Sequence, residues 1–414
     1  MSLPILTKNF GLGHPASLNE YEATGGYEGL NIALNTLTPD ETVKMVSDSG
    51  LRGRGGAGFP TGKKWGFLEK QSQGRRYFVV NADEMEPGTF KDRLMMERDP
   101  HMLIEGMLIT GHATGIELGY IFIRHEYAEA ARALSVAVAE AKAAGYMSGM
   151  DIAVHRSAGR YECGEETALL NALEGKRANP RSKPPFPLVK GLWQRPTLIN
   201  NVETILNIPH IITMGPQAWK SLARTPGGAG VKLYGVSGRV IRPGLYELPI
   251  GTPLRELLEE HAGGMHLDYR FKACLPGGAS TQLLTKEHLD VELDFEAVAK
   301  VGSRLGTGCV TVFDDTCCIV AAMVNLMTFF ARESCGWCTP CRDGLPYVLD
   351  ILTRIEAGTS TAEDVAIMEE QCEVIYPNTF CAFAPGAVSP VQSMMKLFRD
   401  EVMEHIRLRR CPNL

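Results

Sequence analysis

The sequence predicts an α/β fold that gives way to helices toward its end. Short apolar runs alternate with helical stretches between residues 77 and 174, as in a parallel sheet covered on both faces. A strand, strand, helix, strand series follows between 231 and 275. After one more strand, Val310-Thr311-Val312-Phe313, the rest reads as helix. The 414 residues, 44% hydrophobic and 22% charged, are globular in composition and supply core for two or three domains.

Residues 1 to 37 are polar, contain glycine and show no strong period. Thr38-Pro39-Asp40-Glu41 is a capping box with proline at the first helical position, Val43 and Val46 continue an apolar face, and Gly50 stops the helix. Then comes Leu51 to Trp65, with five glycines between Gly53 and Gly62. Glycine lets backbone N–H groups approach a bulky ligand closely. Arg52, Arg54, Lys63 and Lys64 flank the glycines, and Phe59 and Trp65 offer flat apolar faces. Phosphate plus an aromatic ring system suits this mixture, so a mononucleotide or dinucleotide is the expected ligand; a flexible basic loop is the alternative. Gly53, Gly55 and Gly58 match the dinucleotide fingerprint, but they follow a helix where that motif follows a strand. The Walker pattern fails because Gly62-Lys63 is followed by Lys64.

Strands are expected at Tyr77-Phe78-Val79-Val80, Tyr120-Ile121-Phe122-Ile123 and Ile152-Ala153-Val154, with helices from His101 to Gly115, Glu126 to Ala144 and Glu165 to Glu174. Open α/β sheets bind ligands beyond the carboxyl ends of strands. That rule selects Asn81-Ala82-Asp83-Glu84-Met85-Glu86-Pro87-Gly88 and Gly159 to Thr167. Glu165 and Glu166 are also explained as first-turn acids favoured by the helix dipole, Asp83, Glu84 and Glu86 as a solvated loop, and the phenylalanines as core, Phe67 above all. The stretch Lys176 to Asn201, with five prolines and six Lys or Arg, is expected to be a functional loop packed over the ligand. Phe186, Leu188, Leu192 and Trp193 argue against disorder there.

Lys232 to Val236 and Gly244 to Leu248 read as paired strands, Thr252-Pro253-Leu254 starts a helix ending at Gly263-Gly264, and Phe271 to Leu275 is a strand, a β-grasp pattern. The helical part opens with Cys335-Gly336-Trp337-Cys338-Thr339-Pro340-Cys341, whose C-x2-C-x2-C spacing suits three corners of an iron–sulfur cube. Cys372 and Cys381 are candidates for a fourth ligand. Zinc is the competing metal, although its sites more often use two separated Cys pairs. Cys163, Cys274, Cys309, Cys317, Cys318 and Cys411 read as small core or surface residues.

A net charge of −6 argues against nucleic acid. Met1 to Leu6 lacks the basic and apolar regions of a signal peptide, and the apolar run Cys317 to Ala331 is too short and polar to span a bilayer. A soluble, cytoplasmic chain is expected.

In order along the chain, the blocks Arg52 to Trp65, Asn81 to Gly88, Gly159 to Lys183, Pro184 to Glu203, Ser303 to Gly308, Glu333 to Leu345 and Phe380 to Ala387 resemble the NADH-binding, FMN-carrying subunit of bacterial respiratory complex I. Diaphorase subunits of NAD-reducing hydrogenases and formate dehydrogenases are weaker cousins. The resemblance implies a Rossmann-like FMN/NADH domain at 38–230 after an extension at 1–37, a β-grasp domain at 231–300, and a C-terminal helical bundle at 301–414 holding one 4Fe–4S cluster. It implies that Gly53, Arg54, Gly55, Gly56, Ala57, Gly58 and Lys64 line the FMN, with Asn81 and Asp83 at its ribityl and ring. Gly164, Asn200 and Asn201 complete that pocket, and Tyr161 and Glu165 join the cofactor set. Phe59, Phe67 and Phe186 would stack on the NADH adenine, Lys183 would meet phosphate or ribose, and Glu86 and Glu166 the nicotinamide half. Cys335, Cys338, Cys341 and Cys381 would ligate the cluster. The implied partners are a thioredoxin-like 2Fe–2S subunit and the rest of the peripheral arm, on the cytoplasmic face of the inner membrane.

Overall fold

The computed structural model describes residues 4–69 and 74–413, so the first three residues of the Met1 to Leu6 stretch lie outside it. The chain forms two compact units. The first comprises residues 1–85, 90–234 and 245–252, the second 86–89, 235–244 and 253–414.

The first unit is built on four parallel strands, β1 (Tyr77–Ala82), β2 (Leu118–Ile123), β3 (Asp151–Arg156) and β4 (Thr197–Asn201), in spatial order β3-β2-β1-β4. Successive side chains alternate between faces. Phe78, Val80, Ile121, Ile123 and Leu198 enter a large core that includes residues of the helices Pro100–Thr114 and Ala128–Ala143. Val79, Phe122 and Ile199 point the other way, onto Leu169 and Leu170 of the helix Glu166–Leu173. Burial on both faces is why β1 and β2 read as near-continuous apolar runs, while β3, at the sheet edge, is fully buried only at Ile152.

Two expectations need correction. The Lys176 to Asn201 stretch is not one long loop: it holds the short helix Pro187–Lys190 and ends as β4, which pairs in register with β1. The polar approach is likewise folded, with helices Leu18–Ala23 and Glu28–Thr36 before the Thr38-capped helix Pro39–Asp48.

In the second unit, the end of β5 (Val231–Gly238) runs parallel to β9 (Cys309–Asp314), and β9 pairs antiparallel with β7 (Phe271–Leu275). The two-residue β8 (Leu284–Thr285) adds to β7. The strand β6 (Gly244–Pro249) lies in the first unit from Leu245 onward, where Glu247 accepts hydrogen bonds from the backbone N–H groups of Ile5, Leu6 and Thr7. Beyond β9 come the helices Ile319–Glu333, Gly344–Glu356, Ala362–Ile375, Phe383–Leu397 and Arg399–Leu408. The buried residues Ile319, Val320, Met323, Met327 and Phe330 of the first of these recur at helical spacing. Among the described residues no helix is long and apolar enough to cross a membrane.

Candidate functional site: a flavin cradle and a cysteine run

The glycine loop leaves the helix Pro39–Asp48 and enters the helix Thr61–Gly66, so it is not a strand-to-helix turn. Gly56 and Gly58 sit at φ +127° and +65°, which side chains rarely adopt. The Gly53 N–H donates to the Phe59 carbonyl, closing the loop on itself. A Cβ on Gly55 would lie 3.0 Å from the Asn201 side chain, so the absence of one lets the loop lie against the end of β4. Asn81 and Asn201 are register partners at the carboxyl ends of β1 and β4, and the Asn81 amide donates to the Gly164 carbonyl at 3.3 Å. Trp65 Nε1 donates to Asn200 Oδ1 at 3.1 Å.

Two acceptors in this region fit a polyol. Asp83 Oδ1 and Asn201 Oδ1 are buried with no hydrogen-bond partner. Buried acceptors without a donor are costly, and ligand hydroxyls would supply the donors. Burial, opposed by the Ser157 hydroxyl and Arg124, pushes the Asp83 carboxyl up to about 7. Gly164 faces open space. These features fit the ribityl chain and ring of a flavin mononucleotide.

Arg54 is the exception within the expected set. Its side chain is buried, its Nη2 donates to the Ala229 and Val231 carbonyls, and its backbone N–H is taken by Thr204 Oγ1 at 2.9 Å. It braces the loop from beneath and presents no guanidinium to a phosphate. Lys64 lies 3.1 Å from Glu166. Lys183 lies 2.6 Å from Glu165 and 3.3 Å from Glu166. Burial opposes the Glu166 charge, but Lys64 and Lys183 outweigh it and hold the carboxyl below its ordinary value. Glu165 also caps its helix, accepting from the N–H groups of Thr167 and Ala168. Tyr161 lies in the short turn Tyr161–Gly164. Phe59, Phe67 and Phe186 are each about half exposed, so none is core and all three offer ring faces. Glu86 belongs to the second unit, where its Oε1 accepts from the Ser280 N–H at 2.6 Å. Glu84 is no solvated acid: it is buried and accepts from the N–H groups of Asp92 and Arg93.

One group of residues escaped sequence reasoning. Lys91, fully buried, lies 2.8 Å from both Asp92 and Glu203, and Lys232 lies 3.1 Å from Glu203. Asp92 Oδ2 accepts from Asn201 Nδ2 at 2.7 Å, so this charged network fixes how Asn201 is presented. Its members are scattered from residue 91 to 232, and no spacing announces them.

In the second unit the cysteine run is a tight turn, Gly336 at φ +75°, leading into the short helix Thr339–Arg342 with Pro340 in its first turn. The Trp337 and Phe380 rings meet edge to face at 6.4 Å. Each is the sequence neighbour of a candidate ligand, Cys338 and Cys381. Cys381 is partly exposed on the loop before the helix Phe383–Leu397. Cys372 is buried within the helix Ala362–Ile375, and burial pushes its thiol up to about 12. A four-thiolate set of Cys335, Cys338, Cys341 and Cys381 has the donor chemistry of an iron–sulfur cube.

Comparison with known proteins agrees with both centres. Residues 46–210 match a family model described as the Nuo51 FMN-binding domain, residues 233–284 an SLBB domain, and residues 321–405 the NADH-ubiquinone oxidoreductase-F iron-sulfur binding region. The NADH-quinone oxidoreductase F-subunit of Salmonella typhimurium is 53% identical over 94% of this chain and 89% of its own. A counterpart in Rhizobium meliloti, designated F 2, is 49% identical over 99% of both chains. The chain belongs to the NADH-quinone oxidoreductase F-subunit family. As a member, it is an oxidoreductase flavoprotein subunit that carries FMN and a 4Fe–4S cluster. An NAD+-reducing [NiFe]-hydrogenase in its H2-reduced state also superposes, with a TM-score of 0.85 and 36% identity, over 96% of this chain and 68% of that one. In its air-oxidized state the values are 0.83 and 35%, over 91% of this chain and 66% of that one. The α/β unit, SLBB module and helical end match the fold class expected of the sequence.

Proposed function

We propose that the chain binds NADH across its flavin cradle and that the residues named above divide the work as follows. FMN supplies the two-electron to one-electron conversion when bound, and the 4Fe–4S cluster carries single electrons onward. The backbone of the Gly53 to Gly58 loop, with Ala57, lines the flavin, and Lys64 offsets its phosphate charge. Asn81, Asp83, Asn200, Asn201 and Gly164 hold its ribityl and ring. Phe59, Phe67 and Phe186 grip the adenine by stacking. Lys183 meets phosphate or ribose, Glu166 and Glu86 serve the nicotinamide half, and Tyr161 and Glu165 support the site. No acid or base is needed, because hydride transfer depends on aligning nicotinamide against flavin. Cys335, Cys338, Cys341 and Cys381 hold the cube.

The observation that carries this reading is the pair of buried acceptors, Asp83 Oδ1 and Asn201 Oδ1, beside a glycine loop with positive-φ backbone. Domain limits at 38, 231 and 301 belong to the same proposal.

The chain works within a multi-subunit enzyme, and we assign its neighbour as a thioredoxin-like 2Fe–2S subunit of the peripheral arm on the cytoplasmic membrane face. Support comes from Trp337, Tyr347, Val374, Tyr376 and Phe380, which all expose large apolar surface in the cluster-bearing helical region. The purified chain, loaded with FMN and iron–sulfur, should reduce ferricyanide with NADH. It should not reduce quinone until partner subunits are restored. Efficient quinone reduction by the chain alone refutes the partner assignment; absence of flavin from the folded chain refutes the cradle.

A further inference from the structure

A second group of ligand-type side chains lies in the helical region, apart from the four cysteines assigned above. Cys318, Glu356, His405 and Cys411 bring one ligand atom each to within 4.8 Å of one another. They come from four segments: the N-cap of the helix Ile319–Glu333, the last residue of Gly344–Glu356, the helix Arg399–Leu408, and the stretch after it. Cys318, His405 and Cys411 are buried, while Glu356 reaches solvent and leaves an entry path for an ion. Neither cysteine was expected to be a ligand from sequence, because 93 residues separate them (411 − 318) and no Cys-x-x-Cys spacing is present.

Proton bookkeeping shows what the cluster lacks. His405 Nδ1 lies 2.8 Å from the Glu401 carbonyl, which can only accept, so Nδ1 carries the hydrogen. In the neutral ring Nε2 is then a bare lone pair. It faces Glu356 Oε2 at 3.1 Å and Cys318 Sγ at 3.3 Å. Glu356 Oε2 and Cys318 Sγ are themselves 3.2 Å apart, and Cys318 Sγ already accepts from the Ala321 N–H. Three ligand atoms crowd one point, and a single proton there, whether on the Cys318 thiol or on Nε2, can serve only one of the contacts.

We propose that this is a structural zinc site, with Cys318 and Cys411 as thiolates, His405 through Nε2, and Glu356 through one carboxylate oxygen. Zinc bonds of about 2.0–2.3 Å in a tetrahedron place ligand atoms roughly 3.3–3.8 Å apart, close to the 3.1–3.3 Å among His405, Glu356 and Cys318, and Cys411 Sγ lies within 4.8 Å of all three. The mixed sulfur, nitrogen and oxygen set suits zinc, and four protein ligands leave no open position, as in a structural rather than a catalytic site. The outer shell is in place too. The Glu401 carbonyl fixes the imidazole, while the Glu401 carboxylate is held by Lys272 at 2.8 Å and by the Ile319 N–H. Binding releases the two thiol protons and joins the four segments, so the ion acts as a cross-link within the helical region.

Metal analysis of the full chain, loaded with flavin and iron–sulfur and purified from zinc-supplemented medium without chelators, tests this. About one zinc per chain is expected beside the cluster iron. Zinc-edge X-ray absorption should show two sulfur neighbours near ~2.3 Å and two lighter atoms near ~2.0–2.1 Å. Cys411→Ser and Cys318→Ser should each lower zinc about tenfold or more, with iron and flavin content unchanged. The wild-type measurements need no variant to fold. Any of four results overturns the proposal: folded wild type without zinc, iron in zinc's place, zinc retained by the double variant, or a disulfide between Cys318 and Cys411.

Discussion

Glu203→Gln isolates the buried network beneath the flavin cradle. Glu203 is fully buried between two ammonium groups, Lys91 at 2.8 Å and Lys232 at 3.1 Å, and also accepts from the Leu233 N–H. Burial works against its charge, but Lys232, Lys91 and Arg54 prevail and bring the carboxyl down to about 2. Set against an ordinary value of 4.5, that depression is worth about 3 kcal/mol of stability at neutral pH. Breaking buried pairs independently suggests about 3–5 kcal/mol. The amide can still accept from Leu233 but cannot neutralise either lysine. For a unit of this size the melting temperature should fall by about 6–12 °C. Lys44→Ala removes an exposed pair with Asp48 and should cost no more than about 1–2 °C. The carboxyl titrates lower in the folded chain than in the unfolded one. Its contribution is therefore whole above about 4.5 and fades as pH falls toward about 2, where wild type and variant should converge. Thermal melts of both proteins at pH 7 and at the lowest pH they tolerate give the answer. A variant melting within a degree or two of wild type at pH 7 refutes the reasoning.

Asp83→Asn should weaken FMN retention about tenfold, as loss of one charged hydrogen-bond acceptor implies. In flavin-free protein the same variant should gain on wild type as pH rises from about 4 to about 7, because over that range the carboxyl ionises in the unfolded chain while burial keeps it protonated in the fold; a pH-independent difference in melting temperature counts against it. Cys381→Ala should lose cluster iron and Cys372→Ala keep it, read by iron analysis; the reverse pattern means the wrong thiol was chosen. Glu86→Gln should change NADH turnover while FMN stays bound, and flavin loss with unchanged NADH affinity contradicts its assignment to the nucleotide.

The parts of the fold legible in sequence are those where one physical signal dominates. β1 and β2 carry the apolar runs Phe78-Val79-Val80 and Ile121-Phe122-Ile123 because both faces are buried there, β3 shows only the short Ile152-Ala153-Val154 core of an edge strand, and Thr38 with Glu41 declares its helix by capping chemistry. β4 was hidden because Thr197-Leu198-Ile199-Asn200-Asn201 is five residues long, follows a proline-rich run and ends in two polar residues serving the site. The helices Leu18–Ala23 and Glu28–Thr36 were masked by Gly25 and Gly26 between them and by their brevity. At the site, the glycines announced a close approach to a ligand. What could not be read was the support: Arg54 resembles a phosphate ligand in sequence, and only the fold turns it onto Ala229 and Val231. Cys318, His405 and Cys411 had no local spacing to betray them, since their meeting depends on how the helices pack.

The bond from the Arg54 N–H to Thr204 Oγ1 spans 150 residues. At a synthesis rate of about 5–20 residues per second, Thr204 leaves the ribosome roughly 8–30 s after Arg54. β1 can pair with β2 well before β4 exists, but the glycine loop has nothing to rest against until β4 docks beside β1. During translation the loop is therefore a cradle with one wall. Flavin can be captured only after most of the α/β unit has emerged, so FMN supply governs a late maturation step and cannot guide the early folding of the nascent chain.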